Sequence, residues 1–205
     1  MTRTRIPAEE RRARILDAAV EVFAEHGYEA KVQDIAARAG VVPSVLYDHF
    51  ASKRELHIVL LELHAEQLRE RSLRRLEGAT VEELLHASIA SYFEFVEEDP
   101  FIWRFLHRDP PADPETAAVC QEIADRGTEA IAELIRFGAA DAQAVNGIAV
   151  DDAAWILARA TQYANHGVAT WWYENREVPR ERVVELVFML LWQGFDGMLK
   201  QASAG

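Results

Sequence analysis

The side chains that could do chemistry form two groups, and the first lies in residues 43–53. Short polar, aromatic and small apolar side chains suit the major groove of DNA, where base edges and thymine methyls are exposed. Lys53 stands at the start of a predicted helix, and its charge and the helical N–H groups both favour a phosphate. The residues expected to face DNA on the preceding short helix are Pro43, Ser44, Val45, Tyr47, Asp48 and His49.

The second group combines hydrogen-bonding and aromatic side chains on one predicted helix, at spacings that place them on one face. This mixture on an otherwise apolar helix indicates the wall of a ligand pocket. The group is Trp155, Arg159, Gln162, Tyr163 and His166, and the predicted apolar walls are Phe93, Val96, Trp103, Leu106, Cys120 and Ile123. Because Arg159 and His166 suit an anion, we expect an apolar or aromatic effector with an anionic group. The alternative is that these polar side chains form an internal network or reach the surface.

Two histidines, His57 and His64, lie seven residues apart on the helix that follows the first group. They either line the floor of the same pocket or are core or solvated histidines. Cys120, predicted as a pocket residue, is by type more often a buried apolar side chain than a redox sensor.

The elements that position these residues are predicted to be helical throughout. Apolar residues recur with helical periodicity and no stretch alternates with period two, which predicts an all-α fold of about nine helices and no sheet. Residues 138–150 are expected to be a connection. The predicted helices cover residues 9–26, 32–39, 43–50, 53–76, 80–98, 101–107, 115–137, 151–173 and 181–201.

The first 50 residues have the layout of a helix-turn-helix. A helix of about 18 residues is followed by two short helices that are separated by Gly40, a residue that tolerates the positive φ of a tight turn. Ser52 and Thr80 have the capping-box pattern, with Glu55 and Glu83 three residues later.

Composition and charge agree with a DNA-binding end on an acidic body. The chain has 205 residues, half of them apolar, and a net charge of −12, but residues 1–57 carry equal numbers of acidic and basic residues. An acidic body is repelled by phosphate and would turn the neutral end toward DNA; alternatively, it serves only solubility.

The single cysteine excludes an intrachain disulfide and fits the cytoplasm. No apolar run reaches the roughly 20 residues of a membrane span. We find no motif of a metal, a cofactor or an enzyme.

Two segments resemble the DNA-binding signature of the tetracycline-repressor (TetR) family: RILDAAVEVFAEHGYEA, residues 14–30, and IAARAGVVPSVLYDHFASKREL, residues 35–56. The resemblance implies a three-helix DNA-binding domain in residues 1–55 and a helical ligand-binding and dimerisation domain in residues 56–205. It implies that Tyr47, His49 and Lys53 hold the phosphate backbone, and that a basic arm with Arg3 and Arg5 adds contacts. The residues implied to face bases are Gln33, Pro43, Ser44 and Val45.

The chain departs from the family pattern where helix caps are expected. Lys31 and Val32 stand where the family usually has threonine, Val42 replaces the usual serine at the cap of the recognition helix, and Val45 replaces a common threonine. Losing a hydroxyl cap costs about 1 kcal/mol. Lys31 could replace a lost phosphate contact. These departures leave one alternative open: a helical ligand-binding adaptor or small-molecule enzyme whose helix-turn-helix has degenerated.

The residue pattern of the last two predicted helices indicates a dimer. Apolar residues of the last helix, among them Val183, Leu186 and Leu190, cover more than one face, which indicates burial against both the core and a partner. The preceding helix has a small-residue face suited to close packing, made of Ala154, Ala158, Thr161 and Val168. We therefore expect a two-fold homodimer built as a four-helix bundle. The expected function is that of a repressor that leaves a palindromic operator when a small, mainly apolar ligand binds, although the sequence does not separate repression from activation.

Overall fold

The computed structural model describes residues 7–73, 79–107, 113–140, 144–145 and 147–202, without the side chains of residues 72–73 and 195–202. Nine α-helices occur in these ranges, as the periodicity predicted. They are α1 (Ala8–His26), α2 (Val32–Ala39), α3 (Pro43–Tyr47), α4 (Lys53–Leu73), α5 (Val81–Glu98), α6 (Pro100–Leu106), α7 (Pro114–Gly138), α8 (Val150–Glu174) and α9 (Arg180–Ala202), with a 3-10 turn (Gly27–Glu29) after α1. Two predictions, the basic arm of Arg3 and Arg5 and the last residues of the helix predicted to reach residue 76, lie outside the described residues.

The chain divides into two compact units. Unit 1 comprises residues 1–67 and 99–121, and unit 2 comprises residues 68–98 and 122–205. Helices α4 and α7 therefore each begin in unit 1 and end in unit 2. This division differs from the predicted boundary after residue 55 because the first half of α4 and all of α6 pack with the helix-turn-helix helices.

Unit 1 is built around α1. Ile15, Ala19, Val22 and Phe23 of α1 are buried, and α2 adds Ile35 to the same core. Gly40 then adopts the left-handed conformation, with φ 69° and ψ 31°, and its N–H donates to the carbonyl oxygens of Ala36 and Ala37. The turn sends the chain into α3, where Leu46 is fully buried. The short α3 is therefore held by the burial of Leu46 and by packing against α2, since a helix of this length is unstable alone.

The second layer of unit 1 is aromatic. Helix α6 packs against α1, where the rings of Phe105 and Phe23 are 6.0 Å apart. His57 of α4 is buried between them, with ring centroids 4.8 Å from Phe23, 5.0 Å from Tyr28 and 5.0 Å from Phe105. His57 and His64 are both core histidines within unit 1.

The predicted caps are present. Ser52 Oγ accepts a hydrogen bond from the N–H of Glu55 at 3.0 Å, while the Glu55 carboxylate accepts the N–H of Ala51 at 2.6 Å. Thr80 and Glu83 form the full reciprocal box before α5, at 3.3 and 2.8 Å.

Unit 2 packs α5, α8 and α9 together and joins α7 to α8. Val183, Val184 and Val187 bury one face of α9. The indole of Trp172 is buried beside Phe93, and its N–H donates to the carbonyl oxygen of Val178 at 2.7 Å, which closes the connection between α8 and α9.

A small antiparallel hairpin corrects the expectation of no sheet. Strands β1 (Ala144–Val145) and β2 (Ile148–Ala149) pair in the segment predicted as a plain connection. Gly147 has φ 75° in the intervening turn. The sequence Asn146-Gly147 between two apolar pairs is the hairpin signal that was missed.

None of the helices in the described ranges is long and apolar enough to cross a membrane.

Candidate DNA-binding and effector sites

The recognition segment, residues 41–50, presents most of its predicted DNA-facing side chains to solvent. Pro43, Ser44 and Asp48 are exposed, Val45 and His49 are half-buried, and Tyr47 is 51 % exposed. Leu46 and Phe50 point the other way and are buried. Because Tyr47 is so exposed, it is not a core packing residue. The segment therefore has one face for the core and one for a partner.

The helix starts of the motif lack side-chain caps, as the sequence predicted. Lys31 and Val42 are the N-cap residues of α2 and α3, and neither side chain makes a cap hydrogen bond. Their carbonyl oxygens accept the N–H of Asp34 at 3.0 Å and of Val45 at 2.9 Å, so both first turns close through the backbone. The side chains of Lys31 and Gln33 are exposed.

Lys53 is engaged within unit 1. Its ammonium donates to the carbonyl oxygens of Tyr28 at 2.7 Å and Ala30 at 3.4 Å, and it lies 4.5 Å from the centre of the Tyr28 ring. An ammonium has three N–H donors. Two of them tie the start of α4 to the 3-10 turn, which leaves one for a phosphate oxygen.

Ion pairs orient α2 on α1. The Arg38 guanidinium donates to both carboxylate oxygens of Glu25, at 2.9 and 3.0 Å, and to Glu21 at 3.3 Å. The hydrogen bond from Arg38 lowers the pKa of the Glu25 carboxyl. The sequence analysis did not find this pair, because its members are far apart in sequence and on separate helices.

A second ion pair joins the first turn of α4 to the start of α7. Arg54 lies 2.9 Å from the carboxylate of Asp113 and 2.7 Å from that of Glu115. Asp113 also accepts hydrogen bonds from the hydroxyl and N–H of Thr116, at 2.7 and 3.0 Å, and so caps α7. These hydrogen bonds, together with the charge of Arg54, lower the pKa of Asp113.

The polar residues predicted for the effector site are hydrogen-bonded between α7 and α8. Arg159 donates to Asp125 at 3.2 Å and to the Thr128 hydroxyl at 3.3 Å. Gln162 donates to the carbonyl oxygen of Ala124 at 3.2 Å and accepts from Thr128 at 2.9 Å. The two side chains thus form the internal network that was the alternative to a pocket wall.

The other predicted effector residues are divided between the units. In unit 2, Phe93 and Val96 are fully buried, while Trp155, His166 and Ile123 are half-buried. Burial lowers the pKa of His166. Unit 1 holds three more: Trp103 is buried, and Leu106 and Cys120 are half-buried. The ninth, Tyr163 of unit 2, is exposed. Burial raises the pKa of the Cys120 thiol.

Two apolar faces of unit 2 remain exposed. We name the first the α8 face, which comprises Ile156, Ala160, Tyr163, Gly167 and Trp171, and the second the α9 face, which comprises Leu186, Met189, Leu190 and Gly194. Tyr163 is 65 % exposed and Leu190 is 71 % exposed. Tyr163 therefore lies on the surface of the single chain.

The small-residue face predicted to pack against a partner packs inside the chain instead. Ala154 and Ala158 are fully buried in a cluster with Ala132 and Ile135 of α7. The prediction was wrong because small side chains allow close approach to any helix, and here the helix that approaches is α7, through Ala132 and Ile135. The signal for the exposed face was a second apolar stripe, from Ile156 through Tyr163 to Trp171.

Known proteins with the same features identify the family. Residues 15–58 match the family model described as "Bacterial regulatory proteins, tetR family". The HTH-type transcriptional activator FasR of Mycolicibacterium smegmatis is 32% identical over 196 residues, which cover 94% of this chain and 86% of FasR. The chain belongs to the TetR family. As a TetR-family protein it is a ligand-responsive, DNA-binding transcriptional regulator and not an enzyme.

Solved structures share the TetR fold over nearly the whole chain. A TetR-like transcriptional regulator from Rhodococcus sp. RHA1 aligns with a TM-score of 0.77 and 25% identity, covering 94% of this chain and 100% of that one. FadR from Bacillus subtilis, in complex with stearoyl-CoA, aligns with a TM-score of 0.71 and 23% identity, covering 87% and 96% of the two chains.

Proposed function

We propose that this TetR-family protein binds a palindromic operator as a two-fold dimer and leaves it when a small effector binds unit 2. The DNA contacts come from Lys31, Gln33 and residues 43–53. The observation that carries this proposal is the two-sided recognition segment, which buries Leu46 while it exposes Ser44 and Tyr47. That arrangement aims base-reading side chains outward from a fixed support. Operator binding also requires the cytoplasmic location expected from the sequence.

The dimer is supported by the α8 and α9 faces. Contiguous exposed apolar surface usually marks a protein interface. A Cβ atom added at Gly167 or Gly194 would meet no atom within 4 Å, so a partner helix has room to come close to either. A second copy that covers both faces would form a four-helix bundle and bury side chains such as Leu186 and Leu190. Its two-fold axis would match the symmetry of a palindrome.

The effector class is proposed from chemistry. FadR from Bacillus subtilis is described in complex with stearoyl-CoA, and this ligand combines a long apolar chain with anionic groups, as the sequence analysis predicted for the effector here. Phe93 and Val96 supply buried apolar surface in unit 2. An anionic group of the effector would compete with Asp125 for Arg159. The side chains of Arg159 and Asp125 are both partly exposed, so breaking their ion pair costs little free energy.

Coupling is proposed to run through α7 and Arg54. Helix α7 starts at Pro114 in unit 1 and ends in unit 2, and its first turn is tied to Arg54 of α4. A shift of α7 on effector binding would move Arg54, and with it the neighbouring Lys53 that anchors the 3-10 turn. A change in the spacing of the two recognition segments would then weaken binding, since half-sites lie about 34–36 Å apart or a multiple of this.

The first experiment is recovery of bound DNA. Purified protein is incubated with fragmented DNA of the source genome at about 0.15 M salt, and the retained fragments are sequenced. The expected result is a palindrome with half-sites one or two helical turns apart. Tyr47→Ala should weaken binding to every retained fragment alike, because a phosphate contact carries no sequence information. Retention of only salt-labile DNA without a shared palindrome would refute the operator proposal.

The second experiment adds effector to the recovered operator. Stearoyl-CoA should weaken operator binding by about 5- to 150-fold, whereas coenzyme A alone should not. An unchanged affinity would refute this effector class and leave the operator proposal intact. If the operator overlaps a promoter, release would relieve repression, which is the direction expected from the sequence. If the operator lies upstream of the promoter, release would end activation, which fits the name of FasR. Transcription in vitro from the recovered promoter separates the two.

A further inference from the structure

The recognition segment lacks the side chains that usually read purines. Guanine is commonly read by Arg or Lys and adenine by Asn or Gln, each through paired hydrogen bonds in the major groove. Residues 41–50 have the sequence VVPSVLYDHF and contain none of these four types. Base discrimination by this segment must therefore use its other polar side chains or its apolar surface.

Val42 is the most exposed large apolar side chain of the segment. It is 59 % exposed and takes no part in the core, unlike Leu46 four residues later. It occupies the N-cap position in an extended conformation, φ −88° and ψ 152°, and its side chain makes no cap hydrogen bond. Serine or threonine would cap α3 better. Neither burial nor helix stability thus explains a valine here.

The surroundings of Val42 are poorly suited to a phosphate. Pro43 follows as the first residue of α3 and has no N–H to donate. The N–H of Val45 is bonded to the carbonyl oxygen of Val42 at 2.9 Å. Two of the first three residues of α3 therefore offer no free N–H to a phosphate. The N-terminal end of a recognition helix is the end that contacts base edges. Val42 therefore brings an apolar surface to the place where bases are read.

We propose that Val42 is a specificity-determining residue that packs against the C5-methyl group of a thymine in each operator half-site. The thymine methyl is the apolar group that the major groove offers, and apolar side chains recognise it by contact. This inference rests on the proposed operator binding and names the base that the segment selects. Pro43 and the half-buried Val45 extend the same apolar surface.

The size of the effect follows from the burial of one methyl group. Replacing the contacted thymine by deoxyuridine removes the methyl and keeps base pairing. Burial of one such group corresponds to about a fourfold change in affinity. A palindrome presents the contact twice, so replacement in both half-sites should weaken binding about 15-fold if the two act independently.

The test is a cycle of protein and DNA changes on the recovered operator. Each thymine is replaced in turn by deoxyuridine, and the dissociation constant is measured by fluorescence anisotropy for the wild type, Val42→Thr and Val42→Ala. Val42→Thr keeps the shape of the side chain and replaces one methyl by a hydroxyl. Ile148→Thr, an exposed site in unit 2, is the control.

We expect one thymine per half-site whose replacement weakens the wild type and the control about fourfold. The effect should be smaller in both Val42 variants, and smallest in Val42→Ala, because Val42→Thr keeps one of the two methyl groups. Far-ultraviolet circular dichroism checks that the variants fold. Correct folding is expected because Val42 and Ile148 are exposed. A recovered operator in which no thymine methyl matters, or in which both Val42 variants keep the full effect, overturns this inference alone. Failure to recover any palindrome overturns operator binding and this inference together.

Discussion

Lowering the pH should destabilise the chain through His57. This side chain is buried between Phe23, Tyr28 and Phe105, and its Nδ1 atom has no hydrogen-bond partner among the described residues. Burial, and to a lesser extent the positive charge of Lys53, lowers the pKa of His57 from 6.5 to about 4. The folded chain therefore keeps this ring neutral at pH values where the unfolded chain protonates it.

The direction and size of the effect follow from linkage. The folded-state pKa of His57 lies below its unfolded value. Titration of His57 therefore leaves the free energy of unfolding unchanged well above pH 6.5, lowers it as the pH drops below 6.5, and has no further effect below about pH 4. The shift corresponds to about 3 kcal/mol in total, and at pH 5 about 2 kcal/mol of this should be lost relative to pH 8. Replacing the ring by phenylalanine keeps an aromatic side chain in the cage and removes the titration.

Two measurements check this prediction. Proton NMR of the folded protein should show that the His57 ring titrates near pH 4, and urea unfolding at pH 8 and pH 5 should show that His57→Phe loses about 2 kcal/mol less than the wild type. His26→Gln is the matched control, because the ring of His26 is exposed. The carboxyl groups with lowered pKa also contribute to the pH dependence of stability, but they are present in every variant, so their contribution cancels in the comparison. A midpoint near 6.5 for His57, or equal losses in the wild type and His57→Phe, would refute the reasoning.

Three further predictions concern the interface, the helix-turn-helix and the coupling. Leu190→Glu should convert the dimer to a monomer in sedimentation at micromolar concentration, whereas Ile148→Glu on β2 should not. Gly40→Ala should lower the free energy of unfolding in urea by about 1 kcal/mol, since the added Cβ meets no atom and only the left-handed backbone is strained; an unchanged value would contradict that conformation. Arg54→Gln should reduce the weakening of operator binding by stearoyl-CoA from the range of about 5- to 150-fold toward no effect, while Arg14→Gln, on the exposed side of α1, should preserve it.

Local elements were largely predictable because their signals are local. Helix periodicity, the turn at Gly40 and the caps at Ser52 and Thr80 each depend on residues within one or two turns of chain. The exposure of Ser44 and Tyr47 was predictable for the same reason, since burial of Leu46 fixes the opposite face of a short helix. The hairpin was missed because two-residue strands are too short to show period-two alternation.

Partners across the chain were not predictable in this way. Periodicity groups Ala154 with Ala158 on one side of α8 and Tyr163 with Trp171 on another, but it does not say which neighbour covers either side. The pairing of Arg159 with Asp125 depends on how α7 and α8 are set against each other.

The sequence by itself determined the helices, the helix-turn-helix and the residues that it aims outward, because hydrogen bonding and helical geometry act over a few residues. Tertiary packing decided that α8 buries its alanines on α7 and leaves Tyr163 exposed, that Arg54 holds the start of α7, and that His57 lies in an aromatic cage. Those outcomes depend on which surfaces fit best once all helices compete for the same apolar area, and that competition involves residues far apart in the chain.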